Sequence, residues 1–74
     1  MDARSDIGLI GLAAMGQPLA LNIESRGYRV SVFNRTPATT DDFVARHAGL
    51  RLHGSATLED FVASIARPRR ILVM

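Results

Sequence analysis

Cysteine and lysine are missing from this 74-residue chain, and each absence closes a class of chemistry. Without cysteine there is no disulfide to staple a small fold and no thiolate to hold a metal. Without lysine there is neither a Schiff base nor a lysine general base, and all nine cationic side chains are arginines. Aromatic residues make up 5% of the chain. None interleaves with Arg67, Arg69 and Arg70, so that basic cluster has no stacking platform for nucleic acid. Long apolar runs are also missing, since none approaches the ~20 residues of a membrane span. The start, Met1-Asp2-Ala3-Arg4-Ser5-Asp6, has no apolar centre of a secretory signal. The expectation is a cytoplasmic protein with no nucleic-acid and no membrane partner. The pI near 10.5 rests on a net charge of only +2 with no lysine to buffer it.

What is present is enough for one small domain. Apolar residues make up 47%, which argues against disorder. At this length a single core seldom supplies more than about 3–5 kcal/mol of net stability. Ile7 to Ile10 reads as a buried strand with a glycine inside it. A helix is expected from about Ala14 to Arg26, with Met15, Leu19 and Ile23 on one stripe, Ala20 widening it and Gly27 as its stop. Tyr28 to Phe33 is the second strand, with Val30 and Val32 pointing one way and Arg29 and Ser31 the other. Thr36 and Pro37 suit the N-cap and N1 positions of a second helix that ends at Ala48-Gly49, with Asp41 and Asp42 early in it. Leu50 to His53 is a short third strand, and Gly54-Ser55-Ala56 a loop. Thr57 to Asp60 resembles a capping box before a third helix, whose Leu58, Phe61, Val62 and Ile65 share a face. Ile71 to Met74 closes the chain as a strand of buried type.

This order, β-α-β-α-β-α-β, predicts an α/β fold: a partial Rossmann-type parallel sheet with right-handed crossovers and strand order 3-2-1-4. Two helices should cover one face and the third should cover the other in part. A parallel sheet needs both faces covered, so residues 1–74 read as an incomplete domain.

The chemistry centres on the first β-α turn. A dinucleotide fingerprint places G-x-G-x-x-G between a strand and a helix. Here it is Gly11-Leu12-Ala13-Ala14-Met15-Gly16, with alanine as the smallest substitute for the middle glycine. Gly11 makes the tight turn, Gly16 allows close packing, and the helix start offers N–H groups and a positive dipole end to a pyrophosphate. Packing alone also explains small residues in such a turn. The end of the second strand favours the cofactor reading. An NAD site carries an acidic residue about 20 positions on. Asn34 stands there, 18 positions after Gly16, and Arg35 and Thr36 follow. Asparagine does not repel a 2′-phosphate, a guanidinium can grip it with two hydrogen bonds, and threonine adds a hydroxyl or an N–H. Asn34-Arg35-Thr36 is the chemistry that NADP requires.

Gly11 to Gly16, the run Leu19-Ala20-Leu21-Asn22-Ile23-Glu24-Ser25-Arg26-Gly27-Tyr28, Val32 to Thr36, and Pro68 to Met74 together resemble the N-terminal portion of the 6-phosphogluconate dehydrogenases. The resemblance implies that Gly11, Leu12, Ala13, Ala14, Met15 and Gly16 form the pyrophosphate turn, that Asn34, Arg35 and Thr36 clamp the 2′-phosphate, and that Met15 and Met74 line the cofactor. It implies an oxidoreductase of the pentose phosphate pathway that converts 6-phosphogluconate and NADP to ribulose 5-phosphate, CO2 and NADPH, as a homodimer. The catalytic lysine and glutamate, the substrate contacts and a helical dimer domain are then expected beyond Met74, so no catalytic residue is assigned and the chain alone is not expected to turn over substrate. Pro18 stands where that family usually has asparagine, and the related β-hydroxyacid dehydrogenases often have proline there, so an N-terminal segment of one of those enzymes is the second reading. A non-catalytic nucleotide-binding fragment is the alternative outside the enzyme class. His47 and His53 lack cysteine or carboxylate partners for a metal. Asp41-Asp42 and Glu59-Asp60 read as helix-dipole compensation, and the serines have no nucleophile-elbow context.

Overall fold

Short apolar runs alternate with helical patterns, and in the computed structural model, which describes residues 4–13 and 15–74, they become seven elements. In chain order these are β1 (Ile7–Ile10), α1 (Gly16–Ser25), β2 (Val30–Phe33), α2 (Pro37–Arg46), β3 (Leu52–Gly54), α3 (Leu58–Ala63) and β4 (Ile71–Val73). The strands form one parallel sheet in the order β3-β2-β1-β4, with Ile7 opposite Val30, Gly8 opposite Ile71 and Val30 opposite Leu52. Strand order, helix alternation and parallel pairing make this a Rossmann-type half-fold, as the pattern predicts.

The two faces of the sheet are built differently. On one, Leu9, Val30 and Val32 pack with Leu12, Ala20 and Phe43 into a fully buried core beneath α1 and α2. On the other, α3 lays Phe61 against Phe33, with ring centroids 5.9 Å apart. Gly8 makes that approach possible, because a Cβ there would stand 2.6 Å from the Phe61 ring and would collide with Ile65. The glycine inside β1 is thus a packing residue for the third helix.

Ser31 points to the opposite face from Val30 and Val32, as expected, and is buried there. Its strand face is covered, and its hydroxyl lies 2.6 Å from that of Ser5 and 2.7 Å from that of Ser64. A buried hydroxyl needs a partner, and this cluster supplies two. Backbone bonds from Ser5 N–H to the Ser64 carbonyl and from Ala66 N–H to the Ser5 carbonyl lie beside it.

Several element limits shift from the sequence reading. Helix α1 begins at Gly16, and Met15 is 73% exposed and so leaves the apolar stripe. Tyr28 lies outside β2 and is exposed. Gly54 belongs to β3, where its missing Cβ accommodates Thr40 and Val44 of α2. Asp41 and Asp42 fall beyond the first turn of α2, and Asp42 pairs instead with Arg46 at 3.1 Å. Helix α3 has six residues; Thr57 caps it by accepting from Asp60 N–H, while Leu58 faces solvent. Strand β4 is apolar in sequence but exposed, because among the described residues it is an edge strand that pairs with β1 alone.

One buried charge links α1 to the start of β3. Glu24 is 6% exposed, and its carboxylate accepts from Arg51 N–H at 3.0 Å and from Arg51 Nε at 3.2 Å. The backbone bond and the guanidinium outweigh burial and hold Glu24 below the ordinary carboxylate value of 4.5. A lowered folded-state pKa gives stabilisation that is complete above the unfolded value and is lost as pH falls through the folded one. Glu24→Gln should therefore flatten the loss of thermal stability below about pH 4.5. Melting curves of equal pH slope for both proteins would remove Glu24 from acid unfolding.

Candidate functional site

The site forms where three strands end together. Strand β1 stops at Ile10, and Gly11 turns the chain with φ +102°, a conformation that glycine adopts without strain. Gly11 N–H donates to the Phe33 carbonyl at the end of β2, and Met74 N–H donates to the Ile10 carbonyl from the end of β4. A Cβ on Gly11 would meet the Met74 carbonyl oxygen at 2.9 Å. The predicted residues Gly11, Asn34 and Met74 are thus neighbours at the carboxyl edge of the sheet. Here the chain runs from β1 outward to β2 and β3 and then crosses back through α3 to β4 on the other side of β1, the switch point at which open α/β sheets form their ligand crevice.

Gly16 closes the turn. Its N–H donates to the Ala13 carbonyl at 3.0 Å, and a Cβ on it would collide with the Gly11 carbonyl. The requirement at Gly16 is space alone. Ala13 is exposed, and no non-glycine among the described residues has positive φ, so alanine replaces the middle glycine without strain. Ala14 lies outside the described residues. Among those described, no hydrogen bond occupies the N–H of Ala13 or of Met15, beside the start of a ten-residue helix. Two open donors at a helix N-terminus can receive an anion.

Leu12 faces inward. Its side chain is buried in the core, its N–H donates to Asn34 Oδ1 at 2.9 Å, and its carbonyl accepts from Gln17 Nε2 at 2.7 Å. Asn34 is held in turn by α2, since its N–H donates to Thr40 Oγ1 at 3.1 Å. Thr40 is fully buried. Sequence reasoning missed Gln17 and Thr40. A glutamine five positions after Leu12 and a threonine in an apolar helix face carry no signal until the tertiary fold brings them to the turn.

Arg35 and Thr36 follow on the exposed rim. Thr36 occupies the N-cap of α2 and Pro37 its first position, as predicted, although the threonine side chain makes no capping bond. Among the described residues, no hydrogen bond or ion pair engages the Arg35 guanidinium, and no acidic side chain stands at the end of β2. Arg46, Arg51 and Arg69 are engaged within the chain, whereas the guanidiniums of Arg26, Arg67 and Arg70 are, like that of Arg35, without such a contact among the described residues. Met15 and Met74 are both exposed beside the turn.

Of the histidines set aside, His47 has a structural role. His47 Nδ1 lies 2.9 Å from the Phe43 carbonyl and the two rings are 4.9 Å apart. Among the described residues no three His, Cys, Asp or Glu side chains could hold a metal, and no helix is long and apolar enough to cross a membrane.

Comparison with known proteins bears on this edge. The family described as the NAD binding domain of 6-phosphogluconate dehydrogenase matches residues 6–74. The decarboxylating 6-phosphogluconate dehydrogenase of Klebsiella pneumoniae is 50% identical over 72 residues, 97% of this chain and 15% of that protein. The Staphylococcus aureus (strain N315) enzyme of the same name is 56% identical over 68 residues, 92% of this chain and 14% of that protein. Among solved structures, Plasmodium falciparum 6-phosphogluconate dehydrogenase, described apo, with its cofactor NADP+ and with its substrate 6-phosphogluconate, superposes with a TM-score of 0.82 at 41% identity. That match covers 93% of this chain and 15% of the other. The chain therefore spans about one seventh of the length of the relatives it matches.

Proposed function

Because the chain belongs to the family of the NAD-binding domain of 6-phosphogluconate dehydrogenase, we propose that it is the NADP-binding segment of a decarboxylating 6-phosphogluconate dehydrogenase. Residues 1–74 are then the N-terminal part of the cofactor domain. The whole enzyme would convert 6-phosphogluconate and NADP to ribulose 5-phosphate, CO2 and NADPH in the cytoplasmic pentose phosphate pathway, as a homodimer. This segment supplies no catalytic residue. Its task is to bind and orient the dinucleotide.

The observation that carries the reading is the position of the Arg35 guanidinium, unengaged among the described residues, beside Asn34 at the sheet edge that also holds the small-residue turn. The residues fit the group. Ala13 and Met15 offer N–H donors to a pyrophosphate at the start of α1, within the helix dipole. Arg35 offers a planar pair of donors to a 2′-phosphate, with Thr36 beside it. Asn34 is neutral and leaves that phosphate unopposed. Gly11 and Met74 form the floor between β1 and β4. NADP, when bound, supplies the hydride acceptor.

Titration of the purified chain with NADP and NAD, read by calorimetry, tests this. The chain should prefer NADP, and Arg35→Ala should weaken NADP about ten- to hundredfold while leaving NAD unchanged, the range for charge-assisted hydrogen bonds. Equal affinity of the folded chain for both dinucleotides, or a preference that survives Arg35→Ala, would overturn the assignment.

A further inference from the structure

The NADP reading above treats Asn34 as a member of the 2′-phosphate clamp, but its geometry gives it a different task. We infer that Asn34 is a positioning residue: its carboxamide fixes the pyrophosphate turn against the end of β2, and so sets binding of the whole dinucleotide as well as of the 2′-phosphate. The inference rests on the NADP reading and deepens it.

The hydrogen bond to Leu12 determines how Asn34 lies. Leu12 N–H is a donor, so only Oδ1 can face it, at 2.9 Å. That leaves Nδ2 on the side of Thr36, whose carbonyl is 3.5 Å away, too long for a firm bond. The acceptor end is committed to the turn. The donor end sits on the rim beside Arg35 and Thr36. One side chain thus spans the two segments that the cofactor must meet together, 22 positions apart in sequence.

Gly11 N–H also ties the turn to the end of β2 through the Phe33 carbonyl, but among the described residues Leu12 N–H has no acceptor other than Asn34. Leu12 has its carbonyl held by Gln17 and its side chain in the core, so its N–H cannot turn outward to a ligand. Without Asn34 that N–H loses its acceptor in a part-buried place. The turn then shifts to seek another acceptor, and the N–H groups of Ala13 and Met15 shift with it. Asparagine is the residue that meets both demands. Aspartate would accept from Leu12 equally well but would place a negative charge beside the 2′-phosphate position. Alanine would leave that position neutral but accept nothing from Leu12.

Three proteins separate this from a direct phosphate contact: the wild-type chain, Asn34→Ala and Asn34→Asp, each confirmed folded by circular dichroism and studied well below its unfolding temperature. Asn34→Ala should weaken NADP and NAD by the same factor, about tenfold. Asn34→Asp should restore NAD to the wild-type value and leave NADP weak. Amide hydrogen exchange gives a second reading independent of ligand. Exchange at Leu12 N–H should quicken about tenfold in Asn34→Ala, stay slow in Asn34→Asp, and leave Val30 and Val32 unchanged. Loss of NADP affinity alone in Asn34→Ala, with Leu12 exchange as in the wild type, would overturn the inference. If the wild-type chain binds neither dinucleotide, the NADP reading fails, while Leu12 exchange still decides whether Asn34 holds the turn.

Discussion

Gly16→Ala should lower the unfolding temperature by about 10 °C or more and abolish NADP binding with it. The added methyl group meets the Gly11 carbonyl, which is backbone on both sides of the contact. No side chain can rotate away, so the first turn of α1 has to move off the end of β1. Overpacking of this kind costs about 1–3 kcal/mol or more, and each kcal/mol lowers the midpoint of a domain this size by roughly 4–8 °C. The moved turn also carries the N–H donors away from the sheet edge. Gly27→Asn is the comparison. Gly27 has φ +100° with nothing within 4 Å of a Cβ, so only backbone strain opposes a side chain there, and asparagine bears left-handed backbone at less cost than other side chains. It should shift the midpoint by no more than about 4 °C, within one kcal/mol on the same scale, and leave NADP binding intact. Thermal melts in which Gly16→Ala and Gly27→Asn coincide would disprove the packing role of Gly16.

Phe61→Ala should leave the chain largely unfolded at 25 °C. Phe61 is fully buried, touches the Phe33 ring and fills the space that Gly8 leaves open. Removing a buried phenylalanine costs about 3–5 kcal/mol. That equals the whole net stability available to a core of this size. The second face of the sheet has little else to cover it, because α3 has six residues and Leu58 points to solvent. Phe61→Leu keeps much of the volume and should retain a cooperative transition at a lower temperature. A Phe61→Ala protein with the wild-type denaturant midpoint would show that α3 contributes nothing to the fold, contrary to the packing described.

The element order, strand order and two-faced sheet were legible before any coordinates, because each rests on local periodicity and a chirality rule. Gly27 as a helix stop and Pro37 as a helix start were legible for the same reason, since each follows from the backbone freedom of one residue type. The misplaced residues share a cause. Met15, Leu58 and the β4 residues are apolar and in pattern, yet exposed. Periodicity reports which residues could be buried together, and exposure depends on what stands opposite. Ser31 is a polar residue that is buried because Ser5 and Ser64 come to it from distant segments.

For the candidate site, the sequence by itself determined the chemical inventory: a small-residue turn between strand and helix, and Asn-Arg-Thr after the second strand in place of a carboxylate. Residue type and spacing carry that information, since they decide which charges and donors exist. Only the tertiary structure decided which of those groups are spent within the protein and which remain open. Leu12 N–H is taken by Asn34, and the Arg35 guanidinium is free among the described residues. The physical reason is that a hydrogen bond across 22 positions forms only after the parallel pairing of β1 with β2 has brought their ends together.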